Sequence, residues 1–235
     1  MIALSFALPE ESKEIVQRLA QPRPCGGPAS LPIIEGTLAG RAIVVVHSGM
    51  GTASAAARTA EFLELYKSRI PSAWIAAGFG GGLAPDLKIG DIVTAGNFSD
   101  PSLLASIASI PARTGSLVTA TDVVETVDQK AALAGQSGAI VVDMETAAIH
   151  RLCSGRAIPM LAVRAISDTA TENLPLASAV WFDQARQRPR PIALAGALLM
   201  HPGRIPPFVR FVRGIGQARA RLTDFLVQVI GAIPD

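Results

Sequence analysis

The 235-residue sequence has few of the residues that build disulfide frameworks and zinc sites, with two cysteines and three histidines. Cys25 and Cys153 lie far apart, and neither belongs to a Cys-x-x-Cys or Cys/His pair. This spacing argues against a disulfide scaffold and against a structural zinc ion. We therefore expect a reducing compartment, no metal and no cofactor.

Long hydrophobic runs and a strong net charge are also missing. No segment reaches the roughly 18 uncharged apolar residues of a membrane span. The nearest candidate is PIALAGALLM at 191–200. The opening MIALSFALPEES lacks the basic start of a signal peptide. A net charge of +2 gives no general attraction to nucleic acid. These absences predict a cytoplasmic protein without a nucleic-acid partner.

Acidic residues are absent from one stretch, Gln184 to Thr223, which carries eight arginines. Within it begins a single apolar helix stripe with 3-4 spacing, at positions 208, 211, 215, 218, 222, 225 and 229. Arg210, Arg213 and Arg221 lie off this stripe. We expect a basic C-terminal helical segment over about 184–231. This segment either packs on the sheet as a helix with its basic face in solvent, or makes a peripheral contact with the anionic inner face of a membrane.

Apolar runs alternate with helical patterns along the sequence, and 49% of the residues are hydrophobic. We expect a single domain over 1–235. The alternation predicts strands over 1–8, 31–38, 41–47, 72–78, 91–97, 115–120, 139–143 and 158–164. It predicts helices over 10–20, 52–67, 126–135, 145–154, 176–199 and 207–230. Strands 31–38 and 41–47 form a predicted hairpin with an Ala-Gly turn. The expected fold is an α/β three-layer sandwich, whose central mixed, mainly parallel twisted sheet is flanked by helices.

Ligands of such sheets bind at the carboxyl ends of strands, so polar residues placed there are candidates for a site. Glu11, Asp143, Glu145 and Asp168 each follow a predicted strand, beside the glycine-rich stretches HSGMG and GFGGGL. Carboxylates that share an apolar crevice have altered pKa values, which suits acid–base chemistry. A Ser-His pair is not expected, because His47 and Ser48 are adjacent on a strand and point to opposite faces.

These motifs carry a resemblance to a known family. HSGMG, GFGGGL with IGD, VVDMETAAI and VRAISD occur in the order seen in the nucleoside phosphorylase and nucleosidase superfamily. Over roughly residues 1–170 the chain resembles the 5′-methylthioadenosine/S-adenosylhomocysteine nucleosidases. The stretches ISDTATENLP and DQKAAL and the basic ending are most similar to the hopanoid-associated phosphorylases. The resemblance implies a nucleoside phosphorylase-like fold and cleavage of the N-glycosidic bond of a purine nucleoside.

The resemblance also implies residue roles. Glu11 would activate a nucleophilic water, Asp168 would protonate or hydrogen-bond the purine N7, and Glu145 would bind the ribose hydroxyls. Asp143, by its alternating position, is expected to point away as a structural cap. Further implied contacts are Met144 under the sugar, the backbone of Val124 and Glu125 at the adenine edge, and Ser167 and Phe79. The nucleophile or anion pocket would be lined by Ser48, Gly49, Gly80, Gly81 and Gly82.

The sequence departs from the family in ways that leave alternatives open. Phe79 replaces a small polar residue of the nucleosidases, and the stretch 98–114 is shorter than theirs, which would leave the 5′ side of the ribose open to a lipid substituent. The phosphate loop of the hexameric phosphorylases is missing, so phosphate as co-substrate and water as nucleophile both remain. The candidate substrates are an adenosyl-hopane precursor of hopanoid biosynthesis, methylthioadenosine or adenosylhomocysteine, and futalosine. A non-catalytic nucleoside-binding scaffold is the alternative of another class. We expect a homo-oligomer, with a dimer favoured.

Overall fold

The structure is a computed structural model, and it describes residues 1–25 and 31–234. The strands are β1 (Ile2–Phe6), β2 (Ala20–Cys25), β3 (Ile33–Leu38), β4 (Arg41–His47), β5 (Ala73–Gly82), β6 (Ile92–Ala95), β7 (Arg113–Gly115), β8 (Leu117–Thr119), β9 (Val141–Asp143), β10 (Met160–Asp168), β11 (Phe182–Asp183) and β12 (Arg188–Pro189). The helices are α1 (Pro9–Gln17), α2 (Thr52–Leu65), α3 (Pro101–Ser106), α4 (Val127–Ser137), α5 (Thr146–Ser154), α6 (Ser178–Trp181), α7 (Pro191–Met200) and α8 (Ile205–Ala232).

The main sheet has the strand order β2-β3-β4-β1-β5-β10-β6-β7, and β9 joins the end of β5 and pairs with β8. Strands β4, β1, β5 and β10 run parallel at its centre. Strand β3 is antiparallel to β4, and β6 is antiparallel to β10. The predicted mixed, mainly parallel sheet is therefore confirmed. Because β6 runs antiparallel to its neighbour, its carboxyl end lies at the opposite edge from the ends of the central strands.

Two apolar clusters cover the two faces of this sheet and give the three layers. On one face Leu4 and Ile75 pack with Leu222 of α8. On the other, Trp74 packs with Phe62 of α2, and the two rings meet edge to face at 5.3 Å. The central strands are buried on both sides, which is why their sequences are continuous apolar runs rather than alternating ones.

The predicted β3–β4 hairpin is confirmed, and its turn is the two residues Ala39 and Gly40. Both have positive φ, 50° and 76°. Positive φ at both central residues is the geometry of the tight turns that match the twist of paired strands.

The glycine-rich stretch 78–82 is part of strand β5, which continues four residues beyond its predicted end at residue 78. Residues at this end of β5 pair with β10 on one side and with β9 on the other. A Cβ at Gly80 would lie 2.8 Å from Cγ2 of Val141. Gly80 and Gly81 are needed here because β9 crosses close to the strand, not because the chain turns.

The predicted helix over 176–199 is also wrong, because the structure divides it into α6, the antiparallel β11–β12 hairpin and α7. Pro189 ends the hairpin, and Pro191 occupies the first turn of α7, where proline is tolerated. The basic segment over about 184–231 is therefore not helical throughout. Strand β2 and helix α3 were not predicted. Strand β2 is a mostly exposed edge strand with two prolines, so it lacks the usual apolar pattern of a strand.

Helix α8 packs along only part of its length. Ala218, Leu222, Phe225 and Val229 of the predicted stripe are buried, whereas the first turns of the helix, 205–213, contain no buried residue. Among the described residues, no helix combines the length and apolar character that crossing a bilayer requires.

Candidate active site

A buried cavity lies at the carboxyl ends of β1, β4 and β5. Its lining includes Glu11, Ser48, Phe79, Glu145 and Arg164. Four of these five belong to the residues expected at the site, and they come from four separate parts of the chain. The parallel order of the central strands brings them together, because it places the strand ends side by side.

Glu11 is held at the start of α1, directly after β1. Its Oε2 accepts a hydrogen bond from the Leu8 N–H at 2.9 Å, and its Oε1 accepts one from the Phe79 N–H at 2.9 Å. Burial raises the pKa of this carboxyl above its usual value, although the two backbone bonds lower it. A carboxylate with a raised pKa is a better acceptor for a proton from water.

Glu145 lies where β9 passes into α5. Its Oε1 accepts from the Gly51 N–H at 2.7 Å, and its Oε2 accepts from the Met144 N–H at 3.3 Å. Burial, together with the neighbouring Asp143, raises the pKa of Glu145 to about 8. Met144 is buried beside it. When ionised, this carboxyl can accept from two neighbouring hydroxyls of a ligand, and when protonated it donates one hydrogen bond and accepts at its other oxygen.

Asp143 points the other way and is a structural residue, as its alternating position predicts. Its Oδ2 accepts from Arg164 Nη2 at 2.5 Å and from the Thr146 N–H at 3.0 Å, where it caps α5. Thr119 Oγ1 donates to its Oδ1 at 2.8 Å. The buried charge of Asp143 is thus paired with a cation and hydrogen-bonded, which a buried carboxylate requires.

Arg164 was not among the predicted site residues, although it is an arginine in the middle of the apolar strand β10. It is almost fully buried, and its Nη1 donates to the carbonyls of Ala76 and Val163, each at 2.7 Å. The charged residue inside LAVRAIS was the available signal. A buried arginine needs a buried acid, and Asp143 is the acid that the fold supplies.

Asp168 does not line the cavity that holds Glu11 and Glu145. It ends β10 beside Gly81, whereas Glu11 contacts β5 at Gly78. Gly78 and Gly81 are about 10 Å apart along β5, and both lie towards its carboxyl end, as Asp168 lies at the carboxyl end of β10. Ser167 Oγ donates to its Oδ1 at 2.7 Å. The three acids expected to act together are therefore on one edge, and two of them share one cavity.

Lys130 is a partner of Asp168 that the sequence did not reveal. Its side chain is only 1% exposed, and Nζ lies 2.6 Å from Asp168 Oδ2. The same nitrogen donates to the carbonyls of Thr169 and Glu172 at 2.6 and 2.9 Å. Lysines are almost never fully buried unless paired, and here all three ammonium hydrogens have acceptors.

The loop 48–51, which was expected to hold an anion or the nucleophile, has its backbone donors engaged. The N–H groups of Ser48 and Gly49 donate to the carbonyls of Phe6 and Ala7 at 2.8 and 3.0 Å. The Met50 N–H donates to Gln187 Oε1 at 2.7 Å, in the β11–β12 hairpin, and the Gly51 N–H donates to Glu145. Gly80, Gly81 and Gly82 lie within paired strands.

The segment expected to read adenine is joined to the segment after Asp168. Glu125 Oε1 accepts from the N–H and the hydroxyl of Ser178 at 2.7 and 2.6 Å. Its backbone N–H donates to Gln129 Oε1, and its carbonyl accepts from Leu174 N–H, both at 2.8 Å. Val124 packs against a small apolar cluster. Of this pair, Val124 is the better candidate for a backbone contact with a ligand.

His47 and Ser48 do not form a catalytic pair. Ser48 Oγ donates to the Phe6 carbonyl at 3.2 Å, while His47 Nε2 is 2.7 Å from Ser12 Oγ. Burial lowers the pKa of His47 to about 4, so the ring is neutral at physiological pH. Within residues 1–25 and 31–234, no group of three or more His, Cys, Asp or Glu is placed to hold a metal ion.

The fold and the cavity define an α/β protein with a buried acidic site at the ends of parallel strands. A family model described as the phosphorylase superfamily matches residues 1–100 and 95–197. The chain belongs to this superfamily, which confirms the family resemblance of its motifs.

Relatives and solved structures agree with this assignment. A 5′-methylthioadenosine/S-adenosylhomocysteine nucleosidase of Shewanella piezotolerans is 29% identical over 189 residues, 66% of this chain and 79% of the relative. The nucleosidase of S. pneumoniae, solved with a transition-state inhibitor, superposes with a TM-score of 0.74 at 22% identity, covering 99% of both chains. A futalosine hydrolase mutant of Helicobacter pylori gives 0.71 at 18% identity, again over 99% of both chains. The fold is thus that of the nucleoside phosphorylases and nucleosidases.

Proposed function

We propose that the chain hydrolyses the N-glycosidic bond of a purine nucleoside and releases adenine. The observation that carries this proposal is the pair of buried carboxyls, Glu11 and Glu145, which face one cavity and have raised pKa values. The relatives named as nucleosidases support the same class of reaction. A scaffold that only binds nucleosides has no need of a buried proton acceptor beside the sugar site.

Glu145, Glu11 and Asp168 each have a separate role in the proposed reaction. Glu145 accepts hydrogen bonds from the ribose hydroxyls above Met144 and so fixes the sugar. Glu11 takes a proton from the water whose oxygen forms the new bond to C1′. The C1′–N9 bond breaks, and its electron pair leaves with the base, which gains a proton at N7 through Asp168. Lys130 and Ser167, which both contact Asp168, hold that carboxyl in place.

The nucleophile we propose is water rather than phosphate. A phosphate ion is commonly bound by free backbone N–H groups at a helix start, and the N–H groups of residues 48–51 already donate to protein acceptors. The guanidinium of Arg164 is likewise paired with Asp143. Phosphate as co-substrate is the alternative, and comparison of adenine release with and without phosphate distinguishes the two nucleophiles.

The substrate we propose is an adenosine with a bulky, lipid-linked 5′ substituent, such as an adenosyl-hopane precursor. Support comes from the short connection between β6 and β7, which holds only a 3-10 turn and the six-residue helix α3. Methylthioadenosine, adenosylhomocysteine and futalosine are the alternatives with smaller 5′ groups.

A lipid-linked substrate would place the enzyme at a membrane surface, and the arginines of 184–223 would attract it to anionic lipid. We therefore propose a cytoplasmic enzyme with peripheral membrane contact. We also propose a homodimer, which sedimentation of the full chain would test.

The test is adenine release from three adenosines that differ at the 5′ position: methylthioadenosine, adenosylhomocysteine and a 5′-alkyl adenosine. We expect release in phosphate-free buffer, fastest with the alkyl compound. Release of adenine from none of them, despite binding of the nucleosides, would identify the non-catalytic scaffold instead.

A further inference from the structure

Helix α7 is apolar on every side, yet six of its ten residues are exposed and the other four are only partly buried. Its sequence is PIALAGALLM, and none of its ten residues is buried. Ile192 is 88% exposed, Leu199 81% and Met200 78%. A helix that is hydrophobic all round belongs in a protein core or in lipid, because water contact with such a surface is unfavourable.

The apolar surface continues into the first turns of α8. Ile205, Val209 and Val212 are exposed there, immediately after the short connection that follows α7. Contiguous apolar patches of this kind are uncommon on monomers and mark interaction sites. We call α7 together with residues 205–213 the apolar tip.

The positive charge around the apolar tip favours an anionic lipid surface over a second copy of the chain. Exposed arginines border it at 188, 190 and 204 and lie within it at 210 and 213, and there is no acidic residue from 184 to 223. A second copy of the chain packed on this face across a two-fold axis would bring like charges together, which is unfavourable. An anionic lipid surface is complementary in both respects, with acyl chains for the apolar residues and headgroups for the arginines.

We propose that the apolar tip inserts into the interface of an anionic membrane and anchors the protein there. At 1.5 Å per residue, α7 is about 15 Å long, roughly half the 30 Å hydrocarbon core, so it lies within one leaflet. The inference deepens the proposed function, since it assigns the surface on which a lipid-linked nucleoside would be met.

The anchor is connected directly to the cavity. Helix α7 follows the β11–β12 hairpin, in which Gln187 Oε1 and Nε2 bind the N–H and the carbonyl of Met50 at 2.7 and 2.9 Å. The next residue, Gly51, donates to Glu145. Insertion of the tip therefore brings the ribose end of the site close to the lipid surface, from which the 5′ substituent would arrive.

The experiment is co-sedimentation of the full chain with phosphatidylcholine vesicles that contain no anionic lipid or 30% phosphatidylglycerol, at low and high salt. We compare the wild type with the double variant Leu199→Asp/Met200→Asp. The matched control is Ile70→Asp, which changes another exposed isoleucine, 57% exposed, outside the tip. The expected result is strong binding of wild type and control to anionic vesicles, part of it surviving high salt, and at least tenfold weaker binding of the double variant.

Three results would overturn the anchor. One is equal binding of the double variant and the wild type. Another is complete loss of wild-type binding at high salt, which would mean attraction without insertion. A wild-type dimer that the double variant breaks, without vesicle binding, would identify the tip as a subunit interface and also reject the anchor. Adenine release from soluble methylthioadenosine should be unchanged in the double variant, so failure of the anchor is distinguishable from failure of the hydrolase proposal.

Discussion

Glu145 shows at the scale of one residue how the burial of an acid affects stability. Its pKa in the folded protein is about 8, against 4.5 for the free side chain, because burial and Asp143 disfavour the charged form. The folded state therefore holds its proton more tightly than the unfolded state. The contribution of Glu145 to stability is largest below pH 4.5 and is lost as the pH rises from there to about 8.

Replacement of Glu145 should increase stability and decrease adenine release. We expect Glu145→Gln to increase the free energy of unfolding at pH 7.5 by about 1–3 kcal/mol. At this pH the folded wild type keeps Glu145 largely protonated although the free side chain would be ionised, and the amide avoids that cost. Urea titrations at pH 7.5 and 4.5 measure it, and the gain should disappear at the lower pH. Adenine release should fall by about 100-fold or more. A variant that is less stable than the wild type at pH 7.5 would refute the assigned burial cost.

The Lys130–Asp168 pair allows a second test at this scale. Asp168→Asn should lower adenine release by about 100-fold or more, because the amide cannot pass a proton to N7. Lys130→Met should lower it by about tenfold and change the pH profile, and Lys130→Arg should restore part of the rate. Steady-state rates from pH 5 to 9 provide the comparison. A pH profile for Lys130→Met that matches the wild type would limit Lys130 to a structural role.

At the scale of the element, strand β5 leaves space for the Glu11 carboxylate because residue 78 is a glycine. A Cβ at Gly78 would lie 2.9 Å from Glu11 Oε1. We expect Gly78→Ala to displace the carboxylate and slow adenine release by about tenfold or more, because a shift of about 1 Å in a reacting group can cost that much.

Gly135 provides the matched control for that variant. It lies inside α4, and an added Cβ there would meet nothing within 4 Å. Gly135→Ala should leave the rate unchanged and stabilise the protein by about 0.5–1 kcal/mol. Rate assays and thermal unfolding of both variants form the test. Equal rates for Gly78→Ala and the wild type would show that Glu11 is not held tightly at β5.

The elements also show what could be read from the sequence. The buried parallel strands and the β3–β4 hairpin were predictable, because they are determined by neighbouring residues: long apolar runs for the strands and a two-residue Ala-Gly turn for the hairpin. The need for Gly80 and Gly81 in β5 was not, since its cause is the close approach of β9, more than fifty residues further along the chain. The expected placement of Glu11 and Glu145 at strand ends followed from periodicity and family motifs. The pairings Asp143–Arg164 and Lys130–Asp168 depend on tertiary packing, which local spacing does not encode.

At the scale of the molecule, one edge of the sheet combines a buried acidic cavity with an exposed apolar and basic extension. The parallel strands β4, β1, β5 and β10 bring the carboxylates together, and the β11–β12 hairpin links the loop 48–51 to the apolar tip. The proposed membrane anchor would account for the acid-free, arginine-rich stretch 184–223. It also predicts that adenine release and vesicle binding can be altered independently.

The central claim is that Glu11 activates water at C1′. The most direct measurement is adenine release from a 5′-alkyl adenosine by the wild type, Glu11→Gln and Glu10→Gln, with and without phosphate. Glu10 is the neighbouring acid, with its side chain 74% exposed, and serves as the control. The account predicts equal release with and without phosphate, a free sugar as product, a loss of about 100-fold or more in Glu11→Gln and none in Glu10→Gln. Release that requires phosphate and yields a sugar 1-phosphate, or a Glu11→Gln variant as fast as the wild type, would contradict it.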